Sequence, residues 1–141
     1  MVAHWGAQIT VSRGVVHRPA ELPGFAAVSG EQWLGLLTYH IDGGACEIVT
    51  IDSAQPKLGV GTALIEAVRQ AAHQAGCRRL WLVTTNDNTA ALHFYQKRGY
   101  VMAAVYPNAL TRSRQLKPEI PLTASNGIPI RDEIEMEMLL A

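Results

Sequence analysis

"QPKLGVGTALIEAVRQAAHQAG", residues 55–76, is the stretch on which the reading of this chain turns. It opens with Gly59-Val60-Gly61 and passes at once into a helical pattern. Val60, Leu64, Val68 and Ala71/Ala72 recur at the spacing of one helix face, and Gly76 stands where such a helix would stop. Glycines at a helix start leave room for something to approach the backbone closely. The first helical N–H groups have no partner inside the helix, and the helix dipole adds partial positive charge there, so a phosphate would be well held. A tight entry into the helix would use the same two glycines, and the turn by itself does not choose between these readings. A P-loop would need a lysine and then Ser or Thr after the glycine, where Gly61 is followed by Thr62 and Ala63. A dinucleotide fingerprint would need a third glycine at Leu64.

Upstream of this helix the period is that of strands. "AQITVSRGVVH" (7–17), "FAAVSG", "WLGLLTYHI" and "CEIVTID" are separated by turn signals, including Ser29-Gly30 and Asp42-Gly43-Gly44, and read as an antiparallel meander. Downstream, "RRLWLVTT" (78–85) is a short apolar strand. "NTAALHFYQKRG" (88–99) is a second helix, with Asn88 as N-cap and Gly99 just past its end. "YVMAAVY" (100–106) is a strand, and "IEMEMLL" (134–140) sets Ile134, Met136 and Met138 on one face against Glu135 and Glu137 on the other. Between these two lies a long stretch, 107–133, with Pro107, Pro118, Pro121 and Pro129; "ALTRSRQLK" within it has room for a helical turn or two. Connections of this length tend to be functional or mobile. The element order β-β-β-β-α-β-α-β-β gives an α/β (α+β) class: a mixed, mostly antiparallel sheet with helices on its faces.

The 141 residues suit a single domain spanning 1–141. Hydrophobic residues at 48% and charged residues at 17% are a globular composition. Lys+Arg and Asp+Glu both total 12, so no general attraction to nucleic acid or an anionic membrane is expected. No apolar run is long enough to span a bilayer, and "MVAHWGAQITVSRG" lacks the layout of a secretory signal. Cys46 and Cys77 are isolated, without CxxC spacing or a histidine at ligand distance, so no metal site is expected. They read as buried free thiols, and the location expected is the cytoplasm.

Pro56-Lys57-Leu58-Gly59-Val60-Gly61 resembles the phosphate-binding motif of the GNAT superfamily, the acyl-CoA-dependent N-acetyltransferases, whose pattern is Gln/Arg-x-x-Gly-x-Gly/Ala at the start of a long helix after the fourth strand. "NDNTAALHFYQKRGYV" is similar to a second segment of that family, with Asn88, Ala91, Tyr95, Lys97, Gly99 and Tyr100 in step. The resemblance spans roughly residues 24–106. Three departures accompany it. Pro56 replaces the motif's first residue, the N-terminal region that usually walls the acceptor site with two helices is reduced, and the 107–133 connection is long enough to stand in for that wall.

The resemblance implies acetyl transfer from acetyl-CoA to a primary amine of a small molecule or peptide by direct attack. It implies that N–H groups around Leu58, Gly59, Val60, Gly61 and Thr62 hold the pyrophosphate. The pantetheine arm would run along the fourth strand, and strand backbone near Val49 and Ile51 would bind the thioester carbonyl; Asn88 is placed either on the pantetheine or as a helix cap. Tyr95 takes the place of the general acid, with Phe94 beside it expected to fill the core. Glu47, on the fourth strand, is the candidate base; alternation sets it on the face of Val49 and Ile51, and an ordinary exposed strand glutamate is the competing reading. His40 and His93 are weaker alternatives. Arg112, Arg114 and Lys117 form a basic run open to an anionic acceptor, and Asp132 and Glu133 a pair open to a cationic one. A non-catalytic acyl-CoA-binding or interaction module on the same fold is the alternative function, and a homodimer through the late strands, frequent in the family, is left open.

Overall fold

The computed structural model describes residues 10–12, 15–17, 21–30, 32–53 and 59–140. Its elements are β1 (Thr10–Ser12), β2 (Val15–His17), β3 (Gly24–Ser29), β4 (Gln32–Asp42), β5 (Ala45–Ser53), α1 (Val60–Gln74), β6 (Arg79–Thr85), α2 (Thr89–Lys97), β7 (Val101–Tyr106), α3 (Ala109–Leu116) and β8 (Glu133–Leu139). β1 and β2 form a two-stranded sheet, so the single strand expected over 7–17 is a pair where it is described. The main sheet has six strands in the order β3-β4-β5-β6-β8-β7, mostly antiparallel. Among the described residues no α-helix precedes α1. The chain divides into two compact units, one built on β3, β4, β5 and α1, the other on α2, β7, α3, β8 and most of β6.

In the first unit the antiparallel register is regular until Thr38 faces Thr50; the next pair is Tyr39 with Ile48. The ladder therefore skips Val49, which is a β-bulge. The bulge resets the alternation. Counting along β4, Leu37, Tyr39 and Ile41 face one way, opposite Ile51, Ile48 and Cys46; Thr38 and His40 face the other, opposite Thr50 and Glu47. Glu47 thus shares its face with Thr50, not with Ile51 as unbroken alternation requires.

The apolar face carries α1, which packs on β3, β4 and β5. Val60, Leu64, Ile65, Val68 and Ala72 are its buried residues, adding Ile65 to the stripe read from the sequence. At Gly35 the approach is close: a Cβ would lie 2.6 Å from Val60 Cγ1 and 2.8 Å from the carbonyl oxygen of Asp52. The helix ends in a Schellman motif: Gly76 (φ 82°) donates its N–H to His73 O, and Cys77 to Ala72 O. Cys46 and Cys77 are buried free thiols. Burial first, then the neighbouring Cys77 and Glu47, pushes the Cys46 thiol up to about 12, which keeps it protonated and inert.

In the second unit, Asn88 caps α2: its side chain accepts the N–H of Ala91 at 3.1 Å. The far end is a second Schellman motif, with Gly99 at φ 95°, its N–H on Gln96 O at 3.1 Å and the Tyr100 N–H on Tyr95 O at 3.0 Å. β8 buries Ile134 and Met136 and leaves Glu135 and Glu137 half-buried, the alternation read from the sequence; Glu133, at its start, is buried as well.

The 107–133 connection is more ordered than its composition suggests. It contains α3, a full eight residues, entered through Asn108 in the left-handed conformation (φ 60°). After α3 the chain folds back as a narrow hairpin, Thr123 bridging Pro129 and the Ile130 N–H reaching Leu122 O at 2.9 Å. Arg114 gathers this return, donating to the carbonyl oxygens of Ile120 (3.3 Å), Pro121 (2.6 Å) and Ile130 (2.6 Å). Asn86 fastens its far side: the amide donates to Pro129 O at 2.9 Å and its oxygen accepts the N–H groups of Arg131 (3.0 Å) and Asp132 (2.9 Å).

Candidate active site

The first unit holds the turn and the bulged strand. Gly59 is the N-cap of α1, with φ 72° and ψ 14°, and no side chain caps the helix there. A Cβ on Gly59 would meet nothing within 4 Å. Glycine is required at 59 by its left-handed backbone, and the space around it is open. The Ala63 N–H donates to Gly59 O at 3.0 Å. The N–H groups of Val60, Gly61 and Thr62 therefore belong to the helix end that has no acceptor one turn back inside the helix. The first turn carries no acidic residue, so nothing in it competes with an anion for the dipole. Gly61 lies inside the helix with a helical backbone, where no conformational demand selects glycine. Such an end fits the pyrophosphate of a CoA. Leu58, with Gln55, Pro56 and Lys57, lies outside the described residues.

On β5, Val49 is the residue the ladder skips, and Ile51 faces α1 beside Leu37. Glu47 is 6% exposed. It stands on the polar face with Thr38, itself buried, whose hydroxyl is 2.6 Å from that of Thr50. The exposed-glutamate reading is therefore set aside. His40, opposite Glu47, is exposed, as is His93 on α2.

The second unit holds Asn88 and Tyr95. Asn88 caps the helix, the simpler of its two expected uses. Tyr95 is the one buried residue of α2, 5% exposed; Phe94, expected in the core, is half-buried with the Arg98 guanidinium 3.7 Å from its ring centroid. The reason is the curvature of the helix surface: position 95, not 94, faces Tyr100 across the C-terminal turn. Burial pushes the Tyr95 phenol up to about 12, against a smaller opposing pull from Arg98. Arg114 donates through Nε and Nη2 to three carbonyls of the connection. Asp132 accepts the Asn108 N–H at 2.8 Å and lies beside Arg131 at 3.3 Å.

Three residues that shape these units were not singled out in the sequence. Gly35 admits α1, Gly24 lets β3 pass the Leu37 carbonyl, and Asn86, with Arg114, ties down the long connection. Only "NDN" carried a hint, since asparagines cluster where backbone groups need side-chain partners. Among the described residues there is no group of His, Cys, Asp and Glu able to hold a metal ion, and no helix long and apolar enough to cross a membrane.

Comparison with known proteins agrees with this geometry. The model of the acetyltransferase (GNAT) family matches residues 5–100, and the chain belongs to that family. It is 54% identical over 134 residues to the uncharacterized protein YdhI of Bacillus subtilis (strain 168), covering 93% of this chain and 82% of that one. A shorter match, 31% over 85 residues, covers 60% of this chain and 41% of the streptothricin acetyltransferase of Streptomyces lavendulae. The fold is similar to that of a GNAT family acetyltransferase from Elizabethkingia anophelis solved with acetyl-CoA bound (TM-score 0.71, 25% identity, 82% of this chain and 74% of that one). Acetyl-CoA is accordingly the cosubstrate.

Proposed function

We propose that residues 1–141 act as one N-acetyltransferase domain, moving the acetyl group of acetyl-CoA to a primary amine of a small molecule or peptide, in the cytoplasm. The observation that carries this is the start of α1: a left-handed Gly59 in open space, an uncapped helix end without acids, and a helical Gly61 with no conformational reason to be glycine. In this reading Gly59, Val60, Gly61 and Thr62, with Leu58 before them, hold the pyrophosphate through backbone N–H groups. The bulge at Val49 takes β5 backbone out of its ladder and makes it available to the thioester carbonyl, with Ile51 continuing the wall for the pantetheine. Asn88 contributes by fixing the start of α2.

The cosubstrate supplies an activated acetyl thioester. Glu47 accepts the proton of the incoming ammonium, directly or through water, so that the amine can attack. Tyr95 offers its O–H to the departing sulfur. With its pKa raised it remains a phenol across the physiological range, so it acts first as a hydrogen-bond donor that stabilises the thiolate. The buried free thiols suit a reducing compartment. The streptothricin acetyltransferase match makes amine-rich small molecules the first acceptors to try.

The test is release of CoA thiol from acetyl-CoA across polyamines, aminoglycosides, streptothricin, amino acids and peptide N-termini. Tyr95→Phe is expected to lower kcat about 10²-fold or more while sparing acetyl-CoA binding. Full turnover by that variant would remove Tyr95 from the mechanism, and absence of any thermal stabilisation by acetyl-CoA would remove the cosubstrate site. At 100-fold over its Kd the ligand should add about 2.7 kcal/mol.

A further inference from the structure

Tyr95 is held by something specific. α2 has nine residues, and Tyr95 sits two positions before its last one, in the turn that the C-terminal cap organises. Tyr100, just past Gly99, donates its N–H to the Tyr95 carbonyl at 3.0 Å. Its ring meets the Tyr95 ring edge to face, centroids 5.3 Å apart and planes at 72°. Phe94 also meets the Tyr95 ring edge to face, at 5.1 Å and 88°. Tyr100 is 2% exposed, so its own position is fixed by packing. Gly99 makes the arrangement possible: at φ 95° it takes the left-handed step that turns Tyr100 back beneath the helix. Main chain and ring thus clamp one residue from one side. Edge-to-face pairing fixes an aromatic plane more sharply than aliphatic packing does, because the ring quadrupoles favour one relative orientation.

We infer that Tyr100 is a positioning residue for Tyr95: through the Gly99 cap and the edge-to-face contact it fixes the direction in which the Tyr95 hydroxyl is offered. This rests on the reading of Tyr95 as the group that serves the departing sulfur. A tyrosine side chain has only two torsions, and contact with the Tyr100 and Phe94 rings restrains both. Replacing Tyr100 by leucine keeps the position apolar and removes the orienting edge, at the cost of some packing. Tyr95 then samples several orientations, of which few aim the hydroxyl correctly.

The experiment is a double-mutant cycle on the intact protein with Tyr95→Phe, Tyr100→Leu and both together, and Tyr100→Phe as the conservative variant. The reaction followed is thiol release from acetyl-CoA with hydroxylamine, a small nucleophile that needs no fitted acceptor pocket, after subtraction of the uncatalysed rate. Tyr100→Leu is expected to lower kcat at least tenfold with the KM for acetyl-CoA changed less than twofold. Tyr100→Phe should keep kcat within twofold of the starting protein. In the Tyr95→Phe background, Tyr100→Leu should change kcat by less than twofold, because the group it positions is gone. Equal losses from Tyr100→Leu in both backgrounds overturn the positioning role while leaving Tyr95 in place. Loss of nothing on Tyr95→Phe overturns the acid reading itself, a separate result. Should Tyr100→Leu fail to fold, Gly99→Ala disturbs the same cap from the backbone and must show the same split between kcat and KM. A readout without turnover accompanies these: with tyrosine labelled at Cζ, the Tyr95 carbon should give one sharp line in the starting protein and in Tyr100→Phe. It should broaden or split in Tyr100→Leu or Gly99→Ala, and an unchanged line there overturns the proposal.

Discussion

A methyl group added to Gly35 would lie 2.6 Å from Cγ1 of Val60, the first residue of α1. The middle of β4 and the start of α1 are therefore in direct backbone-to-side-chain contact, and the seat of the helix is set by the absence of one carbon atom. Gly35→Ala must push Val60 and Leu64 outward or strain β4. It is expected to cost about 1–3 kcal/mol, the usual range for overpacking, and to weaken acetyl-CoA binding, because the lifted end is the one proposed to hold the pyrophosphate. Urea unfolding and acetyl-CoA titration check the two effects, and unchanged stability would sink the contact.

The two glycines of the turn should part company on substitution. Gly59→Ala forces a side chain into the left-handed region and is expected to cost roughly 1–2 kcal/mol. Gly61 has a helical backbone, so Gly61→Ala should hold or raise stability by up to about 1 kcal/mol on helix propensity. Both should weaken acetyl-CoA. A Gly61→Ala protein that is at least as stable and yet binds poorly would show that this glycine serves a ligand; normal binding would assign it to the fold.

Stability should fall at alkaline pH through two identified protons. Tyr95 rises from 10 to about 12 and Cys46 from 9 to about 12, both chiefly through burial. Each holds its proton more tightly folded than unfolded. Their contribution is complete below about pH 9 and is lost as pH climbs towards 12, with a slope of at most about 1.4 kcal/mol per pH unit for each group. Urea midpoints measured at pH 8, 10 and 11 should decline, and the decline should be shallower in Tyr95→Phe and in Cys46→Ala. Parallel curves for all three proteins would refute it.

The connection between β7 and β8 should loosen without unfolding the protein. Arg114→Ala removes donors from three carbonyls, and Asn86→Ala removes three bonds to the segment 129–132. A local loss of about 1–2 kcal/mol is expected from each. Hydrogen exchange across 118–132 should speed up roughly 5- to 30-fold, with the amides of α1 unchanged. If this segment walls the acceptor site, the acceptor KM rises while acetyl-CoA binding holds.

Most elements were legible from the chain because their signals are local. The stripe from Val60 to Ala72, the caps at Asn88, Gly76 and Gly99, and the alternation of Ile134 and Met136 with glutamates each lie within one element. The glycine turn and the Asn88–Tyr100 segment, taken in order, pointed to the family. Glu47 was found as a residue but placed on the wrong face. A single unpaired residue, Val49, resets the alternation, and a bulge is a property of two strands rather than of one.

What the sequence determined by itself is the class of fold, the helix that opens on Gly59 and the cosubstrate it fits, since periodicity, caps and positive-φ glycines act over a few residues. Tertiary structure alone decided which face carries Glu47, that Tyr95 and not Phe94 enters the core, that Gly35 seats α1, and that Arg114 gathers three carbonyls of the long connection. Each of these depends on an atom far away in the chain: Thr38 opposite Thr50, Tyr100 against Tyr95, Val60 over Gly35, Ile130 beneath Arg114. Pairings of that kind are set by packing and register, which no local pattern records.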